Sequence, residues 1–112
     1  AAALNVLGNR LGRRVAVLGD MLELGVCTQA EHYKVGRIAA EKADLLFAFG
    51  PTSDRMLNGA LTGGMAGSAR AFTDRERLVQ ILKLTARPGD VLLFKGSRGM
   101  RMELILEAFL QD

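Results

Sequence analysis

Four short apolar runs punctuate the chain: Val15-Ala16-Val17-Leu18, Leu45-Leu46-Phe47-Ala48-Phe49, Ala69-Arg70-Ala71-Phe72 and Val91-Leu92-Leu93-Phe94. The first, second and fourth are continuous rather than alternating, which is how strands buried on both faces of a parallel sheet read. Turn residues follow three of them, at Gly19-Asp20, Gly50-Pro51 and Gly96-Ser97, and the third ends at Thr73-Asp74, a natural helix N-cap. Between the runs the apolar period becomes helical. Val35, Ile38 and Ala39 share one stripe, as do Leu57, Ala60 and Leu61, then Leu78, Ile81 and Leu82, and finally Met102, Ile105, Leu106 and Phe109. Strands alternating with helices predict an α/β fold of Rossmann-like type. Its sheet should be mostly parallel, with right-handed crossovers and helices on both faces.

The chain of 112 residues suits a single domain spanning 1–112, and its 49% hydrophobic and 24% charged residues argue against disorder. The glycine stretch Thr62-Gly63-Gly64-Met65-Ala66-Gly67 is one loop wide and marks a connection rather than a boundary. No apolar run reaches the roughly 18 residues that span a bilayer. The start carries no signal-peptide succession, and the single Cys27 excludes an internal disulfide, so the cytoplasm is the expected compartment. Residues 1–8 lack an initiator Met and read as the last turns of a helix stopped at Gly8, with Ala3, Leu4 and Leu7 in need of a packing surface. The expectation is a fragment cut from a longer chain in mid-helix. A net charge of +3 gathers in Arg10, Arg13 and Arg14 and again in Lys95, Arg98 and Arg101. With no Trp, one Tyr and Phe residues mostly inside apolar runs, the stacking surface of a nucleic-acid binder is missing, and no nucleic-acid partner is expected.

Open α/β sheets bind ligands beyond the carboxyl ends of their strands. The loop after the first run is Gly19-Asp20-Met21-Leu22-Glu23-Leu24-Gly25, with two carboxylates and three large apolar residues where a dinucleotide site would have small ones. Asp20 has two readings: it receives an ammonium group or a metal-bound water, or it bonds loop amides as turn aspartates commonly do. After the fourth run comes Lys95-Gly96-Ser97-Arg98-Gly99-Met100. Ser97 is expected to cap a helix whose first turn holds Arg98. Cations oppose the macrodipole there, which an anionic ligand such as a carboxylate or phosphate would explain; an ordinary cap with solvated basic side chains is the plain alternative. The order of residues excludes a P-loop, since the Lys precedes the Gly. Asp20, Glu23 and His32 have no recognised metal-ligand spacing, so no metal site is expected, and His32 reads as a structural histidine bonding a loop carbonyl. One His and one Cys support no nucleophilic triad or dyad. Ser53 and Asp54 read as a helix start.

Two stretches carry a family resemblance. Val17-Leu18-Gly19-Asp20-Met21-Leu22-Glu23-Leu24-Gly25, followed by Glu31-His32 and Val35-Gly36, resembles the C-terminal domain of the MurF-type Mur ligases. So does the run from Gly89 to Glu103, centred on Phe94-Lys95-Gly96-Ser97-Arg98. The Asp-Asn-Pro-Arg motif of the diaminopimelate-adding relatives is not present at Gly50-Pro51-Thr52-Ser53-Asp54-Arg55. The resemblance implies one domain of an ATP-dependent amide ligase that joins D-alanyl-D-alanine to UDP-N-acetylmuramoyl-tripeptide. ATP and magnesium would sit in a central domain of the same parent chain, and no cofactor would bind here. The domain would swing to close the site and help hold the amino substrate. Carried over by position, Ser97 and the neighbouring helix amides would hold the dipeptide carboxylate, Lys95 or Arg98 would add charge, and Asp20 would orient the amine or its own loop. The resemblance further implies that no catalytic residue falls within these 112 residues, and a monomer is expected. Rival readings are a free-standing Rossmann-like binding module, a C-terminal domain of another ligase of the superfamily such as the folylpolyglutamate synthases, and a partner-binding domain of cell-wall assembly.

Overall fold

Each apolar run becomes a strand and each helical stripe a helix. A computed structural model describes residues 2–21 and 28–111. In chain order the elements are α1 (Ala2–Gly8), β1 (Arg14–Gly19), α2 (Thr28–Lys42), β2 (Leu45–Phe49), α3 (Ser53–Thr62), β3 (Ala69–Phe72), α4 (Arg75–Thr85), β4 (Val91–Lys95) and α5 (Met102–Leu110). A short 3₁₀ turn, Arg98–Met100, separates β4 from α5. The four strands are all parallel, in the order β3-β2-β1-β4, with Val15 level with Leu45 and Leu92.

Alternation along the strands divides the core into two layers. Ala16, Leu18, Leu46 and Ala48 face α1, α2 and α3, meeting Leu4, Leu7, Ala39, Met56 and Ala60. Val15, Val17, Phe47 and Phe49 face α4 and α5, meeting Leu78, Leu82, Met102 and Ile105. Leu4 and Leu7 thus find the packing surface that their sequence required. Helices α2 and α3 cross at glycines. A methyl group at Gly36 would lie 1.9 Å from the Met56 carbonyl oxygen, and one at Gly59 would lie 2.0 Å from that of Tyr33. Mid-helix glycine costs roughly 0.5–1 kcal/mol against alanine, and here that cost accompanies the close crossing that brings α2 and α3 together under the ends of β1 and β2.

One strand departs from its sequence pattern. The apolar run of β4 predicts burial on both faces, yet Val91 to Phe94 are all half-exposed. Among the described residues β4 is an edge strand, with β1 on one side. A continuous apolar run reports what lies above and below a strand, not what lies beside it.

The amino ends of the strands are fixed by ion pairs. Arg13 reaches both carboxylate oxygens of Asp90, with Nε 3.0 Å from Oδ1 and Nη2 2.7 Å from Oδ2, and also donates to the Thr85 carbonyl. That fork, together with the Arg87 amide, holds the Asp90 carboxyl below the usual carboxylate range. Arg14 donates from its amide and its guanidinium to Asp44, whose carboxyl is likewise lowered. Two members of the amino-terminal basic cluster are therefore structural. Among the described residues no helix is long and apolar enough to cross a membrane.

Candidate functional site at the carboxyl ends of the strands

The crest formed by the ends of β1, β2 and β4 gathers the residues that the sequence nominates. Asp20 leaves β1 fully buried. Its backbone is stitched to both neighbours: its amide donates to the Phe49 carbonyl at 3.0 Å, and its carbonyl accepts from the Ser97 amide at 3.0 Å. Asp20 and Ser97 are thus brought together through the main chain. Lys95 closes β4 in register with Leu18 and is exposed, as is Arg98, whereas Ser97 between them is buried. Among the described residues neither Lys95 nor Arg98 forms an ion pair.

The crest packs too tightly for side chains at its glycines. A methyl group at Gly50, where φ is +126°, would stand 2.7 Å from Asp20 Cγ and 2.7 Å from Met100 Cε. One at Gly96 would meet Gly19 Cα at 3.0 Å. These glycines let three loops converge.

The Asp20 side chain points into this junction. Oδ2 accepts two hydrogen bonds from Thr52, from its amide and its hydroxyl, each 2.7 Å long. Thr52 is the residue before α3, and its hydroxyl makes no cap bond to that helix. The buried carboxylate therefore sits at the positive end of α3, where two short charge-assisted bonds and the macrodipole both favour it. Of the two readings of Asp20, the described contacts are those of a residue that bonds a loop. Thr52 itself was not legible as a site residue, because its closeness to Asp20 arises from the parallel register of β1 and β2.

His32 is buried beside Asp20, and its Nε2 accepts a hydrogen bond from the Met21 amide at 2.9 Å. An imidazole nitrogen in that role carries no proton, so its 4.0 Å approach to Asp20 Oδ1 is not a hydrogen bond. Ser97 makes no side-chain cap bond at the 3₁₀ turn, and Arg98 does not lie in the first turn of α5. Arg101 adopts the left-handed conformation (φ 53°, ψ 49°), which ends the 3₁₀ turn and delays α5 to Met102. The first turn of α5 then carries Glu103, paired with Arg101 at 3.0 Å, which suits the macrodipole. Amides of Ser97, Met100 and Arg101 are already bonded to carbonyls, so the expectation that neighbouring amides help hold a ligand rests on those of Arg98 and Gly99. Glu23 and Cys27 lie outside the described residues. Among those described, no group of three His, Cys, Asp or Glu side chains is arranged to hold a metal ion.

Comparison with known proteins places this crest in a family. Residues 1–98 match the family described as Mur ligase, glutamate ligase domain. UDP-N-acetylmuramoyl-tripeptide–D-alanyl-D-alanine ligase of Bacillus subtilis (strain 168) is 36% identical over 102 residues, covering 90% of this chain and 22% of its own length. The enzyme of that name from Synechocystis is 38% identical over 115 residues, covering 99% of this chain and 24% of its own. Among solved structures, MurF from Acinetobacter baumannii superposes with a TM-score of 0.87 at 32% identity, covering 99% of this chain and 25% of that one. MurF from Thermotoga maritima in complex with ADP gives 0.78 at 27% identity, covering 96% and 24%. The chain spans about a quarter or less of the length of these relatives. With sequence and fold agreeing along its whole length, the chain belongs to the Mur ligase family, as a C-terminal domain of the MurF type.

Proposed function

We propose that this chain serves as the amino-substrate-binding and site-closing domain of an ATP-dependent ligase that adds D-alanyl-D-alanine to UDP-N-acetylmuramoyl-tripeptide. The observation that carries the reading is the pairing of a MurF-type crest with two exposed cations, Lys95 and Arg98, which have no ionic partner among the described residues and flank buried Ser97. A dipeptide offers a carboxylate to be held and an amine to be presented. Lys95 and Arg98 supply charge for the carboxylate, Ser97 a hydroxyl, and Asp20 keeps the crest assembled.

No step of phosphoryl transfer is assigned to these residues. The loop after β1 has a buried carboxylate and no phosphate-cradling glycine pattern, and the family resemblance assigns ATP and magnesium to a central domain of the parent enzyme. There the tripeptide carboxylate would be activated as an acyl phosphate, and the dipeptide amine would attack it with loss of phosphate. Closure by this domain would exclude water from the acyl phosphate. Residues 1–112 act as one domain within a cytoplasmic, monomeric enzyme in this reading. The rival readings, a free-standing module or a domain of another ligase, have no comparable support.

A ligation assay on the parent enzyme tests the proposal, with D-alanyl-D-alanine compared against single amino acids. The expected result is a strong preference for the dipeptide. Equal use of D-alanine would overturn the assignment.

A further inference from the structure

The crest holds a buried carboxylate that the proposed chemistry leaves without a direct task. We infer that Asp20 is a positioning residue for the amino-substrate site: it acts through Thr52 to fix the β2–α3 loop against the β4–α5 loop, and does not contact the substrate amine. The inference rests on the reading that the parent enzyme uses D-alanyl-D-alanine, and it specifies how that site is kept in shape.

Three observations carry it. Asp20 is fully buried, so no group approaching from the crevice reaches its carboxylate without displacing the crest. Its Oδ2 is taken up by two hydrogen bonds from Thr52, each 2.7 Å long. Its Oδ1 has no hydrogen-bond partner among the described residues and faces His32 Nε2 at 4.0 Å, an acceptor already bonded to the Met21 amide. Among the described residues the side chain is therefore held by Thr52, while its main chain accepts the Ser97 amide. One residue links the start of α3 on one side to the serine of the substrate loop on the other. Gly50 makes room for it, because a Cβ there would occupy the space of Asp20 Cγ.

A group that works by accepting hydrogen bonds differs testably from one that works by charge. Asparagine keeps an acceptor oxygen for both Thr52 donors and discards the negative charge, whereas alanine discards both. Kinetics of the full-length ligase are measured for Asp20→Ala, Asp20→Asn, Thr52→Val and the Asp20→Ala/Thr52→Val pair, well below their melting temperatures. The expected result for Asp20→Ala is a KM for D-alanyl-D-alanine raised ~10-fold, with the KM for ATP unchanged and kcat altered less than ~3-fold. Asp20→Asn should restore most of the loss. Thr52→Val, which keeps the amide donor, should raise the same KM ~3-fold, and the double variant should be no worse than Asp20→Ala because the two residues act as one unit.

Asp20→Asn as impaired as Asp20→Ala would overturn the inference in favour of a charge contact with the amine. An unchanged dipeptide KM in Thr52→Val would overturn it even if Asp20→Ala failed to fold. Either result leaves the functional reading standing, whereas a wild-type enzyme indifferent to the dipeptide would remove both.

Discussion

The ends of β1 and β4 lie side by side on the same crest and are built in opposite ways. At the end of β1 a carboxylate is wholly buried, bonded to a neighbouring loop and packed beneath glycines with no room for side chains. At the end of β4 two cations stand in solvent with no ionic partner among the described residues. Position in the sheet accounts for the difference. β1 has strands on both sides and Asp20 at its end is fully buried, so a polar group there is kept only if the fold satisfies it. β4 lies at the end of the described strand order, and Lys95 and Arg98 after it are exposed. In the proposed reading the Asp20 junction holds the crest in shape and the β4 loop meets the amino substrate.

Substitutions on the two loops should therefore differ in kind. The largest stability loss is expected for Gly50→Ala, which puts a Cβ into Asp20 at a left-handed backbone position. About 3 kcal/mol is the scale for such overpacking combined with backbone strain, read from urea denaturation. Asp20→Ala should follow at about 2 kcal/mol, because it strands the two Thr52 donors. At the amino end of β4, the lowered carboxyl of Asp90 sets an acid limb. A depressed carboxylate contributes stability that is present above its unfolded value, about 3.9, and lost as pH falls through its folded value. Thermal denaturation should show stability declining below about pH 4, and Asp90→Asn should flatten that decline. Smallest of all, Lys95→Ala and Arg98→Ala should each change stability by no more than about 0.5 kcal/mol. A large loss for either would erase the distinction between the two loops.

Much of the fold was legible because parallel sheets write it plainly: β1 to β4 fall on the four apolar runs, and the carboxyl-end rule selected both loops of the crest. What stayed hidden depended on lateral or three-dimensional neighbours. The half-exposure of β4 accompanies its place at the end of the described strand order, which its own residues do not encode. Thr52 is 32 positions from Asp20 and meets it only through register. The 3₁₀ turn before α5 hinges on Arg101 taking a left-handed conformation, which is uncommon for a residue other than Gly, Asn or Asp. The hydrogen bond from the Met21 amide to His32 needs the end of β1 and the first turns of α2 to be seen together.

In the proposed function the β4 loop is the surface that meets the amino substrate. Its most direct measurement is the KM for D-alanyl-D-alanine of the parent ligase carrying Lys95→Ala and Ser97→Ala together. A rise of ~10-fold or more with the KM for ATP and the melting temperature nearly unchanged is the predicted result. An unchanged KM for the dipeptide would contradict it.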